Sequence, residues 1–328
     1  MPGPRTTVTE LVTGLGMLGF DSPDTALGAR PPEMVSVSPE IWRQLEAVRA
    51  GGAYDEEFAA AFANGAAFLR SPGGLRGRRP VEIEWKGSQR APGDEVAPVD
   101  LRVDHVYLIS CKYLSKILFN ASPAHLFDGL LAGPHGRRSG DWYAEVAPAE
   151  FAALYGVVRA SVGVGELPAD ATALRTEDRQ RLRHGLAEGW PAGGMAAYQD
   201  LIEVVSANSA ARWRRALAGR DEREAMFWRL LRMGSAPYFV LGRAGNQPLR
   251  LRIATPWDWR LRFRLEDLSV EAEPGGQPRV GWQATVRDKD RGRPVTVDGH
   301  IEVRWSHGRF GGPPEAKVYL DSAHRLVP

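Results

Sequence analysis

The spacing of apolar residues changes several times along this chain of 328 residues, and these changes restrict how it can fold. Through residues 1–72 the apolar residues recur mainly at helical spacing. Three short runs with strand character follow, between Val81 and Tyr113. Helical spacing returns from about 147 to 234, and a period of two begins at Pro237. The sequence therefore predicts a chain of mixed α and β structure, with strands in two separate places.

Some of these elements have clear boundaries. A helix is predicted from Pro39 to about Arg49 and another from Asp55 to Arg70, with acidic residues in the first turn of the second, where they favour the helix dipole. The runs after Pro237 predict an antiparallel meander of six strands, because their apolar residues alternate with polar ones. The six ranges are 238–241, 249–253, 260–265, 280–286, 295–305 and 316–320.

The composition excludes several classes of protein. With 43% hydrophobic and 25% charged residues, the chain is typical of a globular protein. The net charge of +2 gives no sign of nucleic-acid binding by itself. The single cysteine, Cys111, excludes an intramolecular disulfide and a thiolate zinc cage, and it suits a reducing cytoplasm. No stretch approaches the roughly 20 apolar residues of a membrane span, so we expect a cytoplasmic protein with no membrane partner.

The most informative segment runs from Pro98 to Tyr113. Asp100 lies on one predicted strand and Lys112 on the next, with a tight connection at Asp104-His105 that predicts a hairpin. A lysine in an apolar run is costly to bury unless its ammonium group finds a partner, and a carboxylate across the hairpin would supply one. An ion-paired hairpin without chemistry is the plain alternative.

The elements around this hairpin come in a recognisable order. An acid-bearing helix precedes a strand at 81–85, a strand with Pro98-Val99-Asp100, a strand ending Ser110-Cys111-Lys112, and a short helix at 123–131. This order resembles the core of the PD-(D/E)xK nuclease superfamily, which is a helix, three strands, a helix and a further strand. The resemblance implies an α+β fold: a restriction-endonuclease-like α/β core with a helical insertion and a C-terminal antiparallel β-rich region.

The resemblance also implies roles for individual residues. Asp100 and the carbonyl of Cys111 would bind Mg²⁺, or Mn²⁺ as its substitute, because Mg²⁺ prefers oxygen ligands. Lys112 would position or activate the attacking water and offset charge on the phosphate. A carboxylate on the first helix often joins such a site, and Glu57 is the first candidate, with Glu56 second.

One position departs from the motif. Ser110 stands where the family has an acid, and a serine hydroxyl is not a strong metal ligand. Glu84 or Glu57 could supply the missing charge, or the site could be inactive. The predicted catalytic set is therefore Asp100, Lys112, Ser110, Glu57 and Glu84.

The C-terminal part contains a rival motif. Asp298 lies on one predicted strand, and Glu315-Ala316-Lys317 is a literal E-x-K on the next. Only eleven residues follow Lys317, so the helix and fourth strand of the core cannot be built after it. A β-meander with a polar outer face is the plain alternative.

Two groups of residues are candidates for contacting nucleic acid. Arginines alternate with apolar residues on neighbouring predicted strands, which could present a basic sheet face to a phosphate backbone. A loop that joins basic, aromatic and glycine residues could grip phosphates or stack a base. An ordinary solvated face and a plain connecting loop remain the alternatives. The first group is Arg250, Arg252, Arg260, Arg262 and Arg264, and the second is Arg304, His307 and Arg309.

These features predict three consecutive regions: N-terminal helices and the nuclease core at 1–135, a helical region at 136–235, and a β-rich region at 236–328 for nucleic-acid or partner recognition. The hypothesis for function is a Mg²⁺-dependent DNA endonuclease of restriction or anti-phage defence. DNA is the expected partner, together with a homodimer or a defence complex. The alternative is an inactive nuclease-fold protein that binds nucleic acid or acts as a scaffold.

Overall fold

A computed structural model describes residues 3–87, 99–113, 117–129, 140–162, 167–234, 236–244, 247–305 and 307–322. The molecule is a mixed α+β protein that contains one mixed and one antiparallel sheet, which confirms the predicted class at that level. Residues 96–98 and 130–131, which were predicted to extend a strand and a helix, lie outside the described residues.

The two predicted N-terminal helices agree with the structure, whereas the helix predicted at 123–131 ends at Phe127. The helix predicted from Pro39 to Arg49 is observed to Ala50, and its neighbour has the predicted bounds. Within the described residues, no helix is long and apolar enough to cross a membrane. The helices are α1 Pro4–Gly16, α2 Pro23–Ala29, α3 Pro39–Ala50, α4 Asp55–Arg70, α5 Pro123–Phe127, α6 Trp142–Val146, α7 Pro148–Ser161, α8 Thr176–Gly185, α9 Gly194–Ala216, α10 Arg220–Leu230 and α11 Pro256–Arg262, with a 3-10 turn at Ala171–Ala173.

The strands form two sheets. The first has six strands in the order β1-β2-β3-β4-β6-β7, and the second has five in the order β5-β11-β10-β9-β8. In the first sheet β2, β3 and β4 are antiparallel neighbours, β6 lies parallel to β4, and β7 is antiparallel to β6. The strands are β1 Met34–Val35, β2 Ile83–Trp85, β3 Leu101–Val103, β4 Tyr107–Lys112, β5 Ile117–Ala121, β6 Tyr238–Ala244, β7 Gln247–Ile253, β8 Phe263–Ala272, β9 Arg279–Asp288, β10 Arg293–Arg304 and β11 Glu315–Leu320.

The chain divides into two compact units, each formed from separate stretches of sequence. Among the described residues, unit 1 contains those up to 113 and those from 232 to 261, and unit 2 contains those from 117 to 231 and from 262 to 322. These units cut across the three consecutive regions that the sequence suggests. The reason is that β6 and β7, which belong to the predicted C-terminal region, hydrogen-bond into the first sheet.

The core of unit 1 lies between the first sheet and its helices. Every residue of α1 from Thr7 to Gly16 is buried, as expected for a helix enclosed on all sides. Its closest partner is α4, and a Cβ atom at Gly65 would overlap the Thr13 carbonyl oxygen. The two helices can therefore approach to backbone contact. On the sheet side, Phe68 of α4 packs edge-on against Phe239 of β6, with ring centroids 4.9 Å apart.

The predicted hairpin is present. β3 and β4 pair in antiparallel register, with Leu101 opposite Ile109. Asp104 and His105 both have positive φ, and the Val106 amide donates to the Val103 carbonyl at 3.0 Å, so the connection is a tight turn. Asp104 has a local structural role, because its carboxylate accepts hydrogen bonds from the amides of Val81 and Glu82.

The predicted six-stranded meander is only partly correct. Residues 238–244 and 247–253 join the first sheet, whereas β8 to β11 form consecutive antiparallel neighbours in the second. Residues 260–262 belong to α11, and the strand begins at Phe263. Asp258 accepts hydrogen bonds from Thr255, which caps the start of α11, and Trp259 of this helix is fully buried. The cap and the buried ring favour a helix here, although apolar and polar residues alternate.

Candidate active site

The hairpin carries Asp100, Ser110 and Lys112 on one face of the first sheet. The Asp100 amide donates to the Ile109 carbonyl at 2.8 Å, which extends the pairing of β3 by one residue and sets Asp100 beside Ser110. Side chains two residues apart on a strand share a face, so Lys112 projects on the same side as Ser110. The opposite side carries Ile109, which belongs to the core under the helices.

The Asp100 carboxylate is held at the end of this ladder. Its Oδ2 atom accepts a hydrogen bond from the Cys111 amide at 2.6 Å and another from the Ser110 hydroxyl at 3.3 Å. In an extended strand the N–H and C=O groups of one residue point to the same side. The Cys111 carbonyl is therefore directed to the side of β4 that carries the Asp100 carboxylate. Ser110 itself is fully buried, so its hydroxyl supports Asp100 and does not replace the missing acid.

The backbone of Lys112 is fixed from the other side by β6. Lys112 is in register with Gly242, and a Cβ atom at position 242 would overlap the Lys112 carbonyl oxygen. Asn64 of α4 donates to the Gly242 carbonyl at 2.8 Å and to the Tyr113 hydroxyl at 3.3 Å. Thr13 of α1 is 2.6 Å from the same hydroxyl. This buried network ties the end of β4 to two helices.

Glu84 lies on the same face, one strand further along. It is in register with Arg102 and forms ion pairs with Arg102 at 2.6 Å and with Lys86 at 3.0 Å. Burial opposes ionisation of Glu84, but hydrogen bonds from Lys86 and Arg102 outweigh it, so the pKa of Glu84 lies below its ordinary value of 4.5. Glu84 is therefore ionised at neutral pH and already balanced by two cations.

Replacement of Glu84 by glutamine should lower stability in a pH-dependent way. Because its pKa is lowered in the fold, the carboxylate stabilises the protein above the unfolded pKa of about 4.3 and loses this effect as the pH falls. We expect Glu84→Gln to reduce the free energy of unfolding by about 1–2 kcal/mol at pH 7. Urea unfolding should show a smaller difference near pH 4. Glu203→Gln, at an exposed position of α9, is the matched control.

The structure does not bring Glu57 into this group. Glu57 is buried in the first turn of α4 and forms an ion pair with Arg5 of α1 at 3.0 Å. Because α4 packs on the face opposite the Asp100 and Lys112 side chains, Glu57 lies on the helix side of the sheet. Glu56 is exposed and pairs with Arg243 at 3.4 Å.

One residue near the site, and one buried acid on the helix side of the sheet, were missed in the sequence. Lys86 follows Glu84 in a second literal E-x-K, and its amide donates to the Asp100 carbonyl at 3.0 Å. Its side chain is only 10% exposed. Glu10 is a buried carboxylate of α1 that accepts a hydrogen bond from Trp85 Nε1 at 2.7 Å. The available signals were the spelling Glu84-Trp85-Lys86 and a single acid within a helix rich in threonine and apolar residues.

The donor set fits a magnesium ion held by few protein ligands. Burial, together with Asp100 and Glu10, raises the pKa of Cys111 well above its ordinary value, so the thiol is protonated and only the carbonyl is a suitable ligand. Among the described residues, no three His, Cys, Asp or Glu side chains converge as a metal site. One carboxylate, one carbonyl, waters and a substrate phosphate match how Mg²⁺ is commonly bound.

No protein-family model matches this chain, and neither a curated protein nor a solved structure matches it.

The rival motif is not assembled by the second sheet. Glu315 lies opposite Arg304 and Lys317 opposite Glu302, so both belong to a cross-strand pattern of opposite charges. Asp298 lies six positions from Arg304 along β10, which corresponds to about 20 Å. Asp298 and Glu315 therefore cannot share one metal ion. The polar sheet face is the better description of this segment.

The arginines predicted as one basic surface are distributed over different elements. Arg250 and Arg252 lie on β7, and Arg250 donates to Asn64 at 2.8 Å. Arg260 and Arg262 are helical, and Arg262 pairs with Asp288 and Asp290. Arg264 lies on β8 and pairs with Glu266 at 3.2 Å. The five arginines therefore do not form one basic face on two neighbouring strands. The predicted strand at 260–265 is helical up to residue 262.

The predicted phosphate loop has mixed surroundings. Arg304 pairs with Glu302 at 3.4 Å, and His307 is exposed. Arg309 donates to the Leu186 carbonyl at 2.6 Å and lies over the Trp190 ring, 4.8 Å from its centroid. Arg309 also lines a cavity of unit 2.

Proposed function

We propose that the protein is a Mg²⁺-dependent nuclease that hydrolyses phosphodiester bonds in DNA, with Asp100 and Lys112 at its active site. The observation that carries the proposal is the position of the Asp100 carboxylate, which the Cys111 amide holds at 2.6 Å beside the end of β4. Lys112 projects from the same face of the sheet, two residues after Ser110 on β4. An acid and a lysine fixed by adjacent strands suit phosphoryl chemistry, which depends mainly on positioning and electrostatics.

In this proposal the chain's own groups have separate tasks. Asp100 and the Cys111 carbonyl hold the ion, which when bound would stabilise charge on the phosphate and lower the pKa of a bound water. Lys112 orients that water and offsets negative charge on the phosphoryl oxygens. The water oxygen bonds to phosphorus, the bond to the leaving ester oxygen breaks, the water loses a proton to solvent, and the leaving oxygen takes one up.

The element order supports a restriction-endonuclease-like core. α4, β2, β3 and β4 follow one another as the resemblance implies, and β6 is a further strand parallel to β4. Parallel neighbours need a long crossover, and here the crossover runs through residues of unit 2. The resemblance implies that a helix of the same core follows the third strand. The helix that follows here, α5, belongs to unit 2, so the chain departs from the family pattern at this point. A role in restriction or anti-phage defence remains part of the proposal.

The direct test is a cleavage assay with the purified full chain. Supercoiled, linear and single-stranded DNA are incubated with Mg²⁺ or Mn²⁺, with EDTA as the metal-free control and RNA as the competing substrate class. We expect nicking or cutting of DNA that requires the added metal. The absence of cleavage on every DNA with either ion would contradict the proposal.

A second function is favoured by one observation. The Asp100 carboxylate is already hydrogen-bonded by two protein donors, and a fully buried serine stands in the acid position. Such a site suits a protein that keeps the fold and binds nucleic acid without cutting it. DNA binding that persists in EDTA, with no metal-dependent cleavage, would favour this alternative.

A further inference from the structure

Unit 2 contains a cavity of about 550 Å³ that is separate from the proposed cleavage site. It lies among the end of α8, the start of α9, the β8–β9 connection and the loop after β10. This volume is within the range that small-molecule sites in proteins occupy.

One part of the cavity wall is aromatic. Trp190 and Tyr198 have ring centroids 4.8 Å apart, and Tyr198 and Trp305 are stacked at 6.2 Å with planes 23° apart. Tyr198 and Trp305 are buried, whereas Trp190 is partly exposed. The three rings form one aromatic cluster, and its partly exposed member, Trp190, is the ring that a planar ligand can reach from the cavity.

The polar part of the wall is positively charged. Arg183 and Arg309 line the cavity, and no acidic residue is among its lining in the part of the chain that the structure describes. The Arg309 guanidinium is fixed by the Leu186 carbonyl and the Trp190 ring. The side-chain amides of Gln199 and Gln277 also line the cavity.

The hydrogen-bonding groups of the cavity are also oriented. The Tyr198 hydroxyl donates to Gln277 Oε1 at 3.1 Å, which sets the direction of that amide. Burial raises the pKa of Tyr198 to about 12, so the hydroxyl stays neutral at physiological pH. Amide groups at the edge of an aromatic surface match the donors and acceptors on the edge of a nucleobase.

We propose that this cavity binds a single nucleotide, with the base against the wall of Trp190, Tyr198 and Trp305 and the phosphate at Arg183 and Arg309. The ligand is either a free nucleotide or an unpaired nucleotide of a nucleic-acid strand, since both present the same planar base and anionic phosphate. The inference does not depend on cleavage at Asp100 and Lys112.

Calorimetric titration of the full chain in EDTA tests the proposal. AMP, GMP, CMP and TMP are compared with ribose 5-phosphate, which lacks the base, and adenosine, which lacks the phosphate. At least one nucleotide should bind with a dissociation constant below about 1 mM, and both partial ligands about 10-fold more weakly. A short single-stranded DNA and its abasic counterpart form the second arm. Tighter binding of the strand than of mononucleotides, lost in the abasic form, identifies an unpaired nucleotide as the occupant.

Variants locate the binding to the cavity. Arg183→Gln should weaken nucleotide binding about 10-fold, whereas Arg214→Gln, at an exposed position of α9, should leave it unchanged. Trp190→Leu should weaken it to a similar degree, and Trp190→Phe should restore most of the affinity because it retains an aromatic face. Thermal unfolding of each variant separates loss of binding from loss of folding.

Three results would overturn the proposal. Equal binding of ribose 5-phosphate and AMP would indicate a plain anion site. Unchanged affinity in folded Arg183→Gln and Trp190→Leu proteins would put the ligand elsewhere. If no nucleotide, free or in a strand, binds at about 5 mM, the cavity is not a nucleotide site. Because these titrations contain EDTA and can be repeated with Lys112→Met, their result is independent of nuclease activity.

Discussion

Lys112→Met should lower metal-dependent DNA cleavage by about 100- to 1000-fold, because it removes the positive charge that offsets the phosphoryl oxygens and keeps a side chain of similar length. Asp100→Asn should have an effect of similar size. An asparagine oxygen can still accept the hydrogen bond that the Cys111 amide gives to Asp100, but it binds Mg²⁺ less strongly than a carboxylate. Initial rates of plasmid nicking at saturating Mg²⁺ measure both effects.

Lys317→Met is the matched control for this experiment. Lys317 also lies on a strand within an acid-x-lysine sequence, but it faces Glu302 in the second sheet. We expect the Lys317→Met variant to cleave DNA at the rate of the unmodified protein. The assignment would be wrong if Lys317→Met were inactive while Lys112→Met cut normally. Thermal unfolding temperatures within about 3 °C of the parent would show that each variant is folded.

Gly242→Ala should destabilise the protein by about 1–3 kcal/mol, although it adds only one methyl group. The new Cβ atom would overlap the Lys112 carbonyl oxygen, and it would lie 3.0 Å from Lys112 Cα. The crowding involves backbone atoms of β4, so a side-chain rotation cannot relieve it. Strands β4 and β6 must separate or shift, which also moves Lys112. Urea unfolding measures the loss of stability, and cleavage assays on the folded fraction measure the displacement of Lys112.

Gly156→Ala provides the contrast, because position 156 lies on the exposed face of α7 and a Cβ atom there meets no other atom within 4 Å. There the change should stabilise the protein by about 0.5–1 kcal/mol, since alanine favours the helix. Equal effects of the two substitutions would show that the contact at Gly242 imposes no strain.

Local pattern predicted several elements well. α3 and α4 follow from the sequence pattern, which for α4 includes an acidic first turn, and the Asp104-His105 turn follows from the short connection between two apolar runs. The partners of strands were harder to predict. A period of two in residues 238–253 indicates strands but not which sheet they join, because pairing with β4 depends on contacts more than a hundred residues away.

The site was predictable to a similar extent. The sequence predicts a hairpin that carries Asp100 and Lys112, and the structure has this hairpin, with Asp100 directly before β3 and Lys112 at the end of β4. Glu10 and Lys86 were missed since their positions depend on how α1 and β2 pack around the hairpin. The proposed third carboxylate, Glu57, depended on the choice of α4 as the relevant helix, and α4 covers the other face of the sheet.

The discontinuity of unit 1 has a consequence for synthesis on the ribosome. When residue 116 has left the ribosome, all residues of β4 have been synthesised. The residues of its neighbour β6 begin only at Tyr238. Until then the edge of β4 that later pairs with β6, which includes the backbone of Lys112, is open to pairing with other exposed strands. The proposed nuclease site would also mature late, only after most of the polypeptide has been translated.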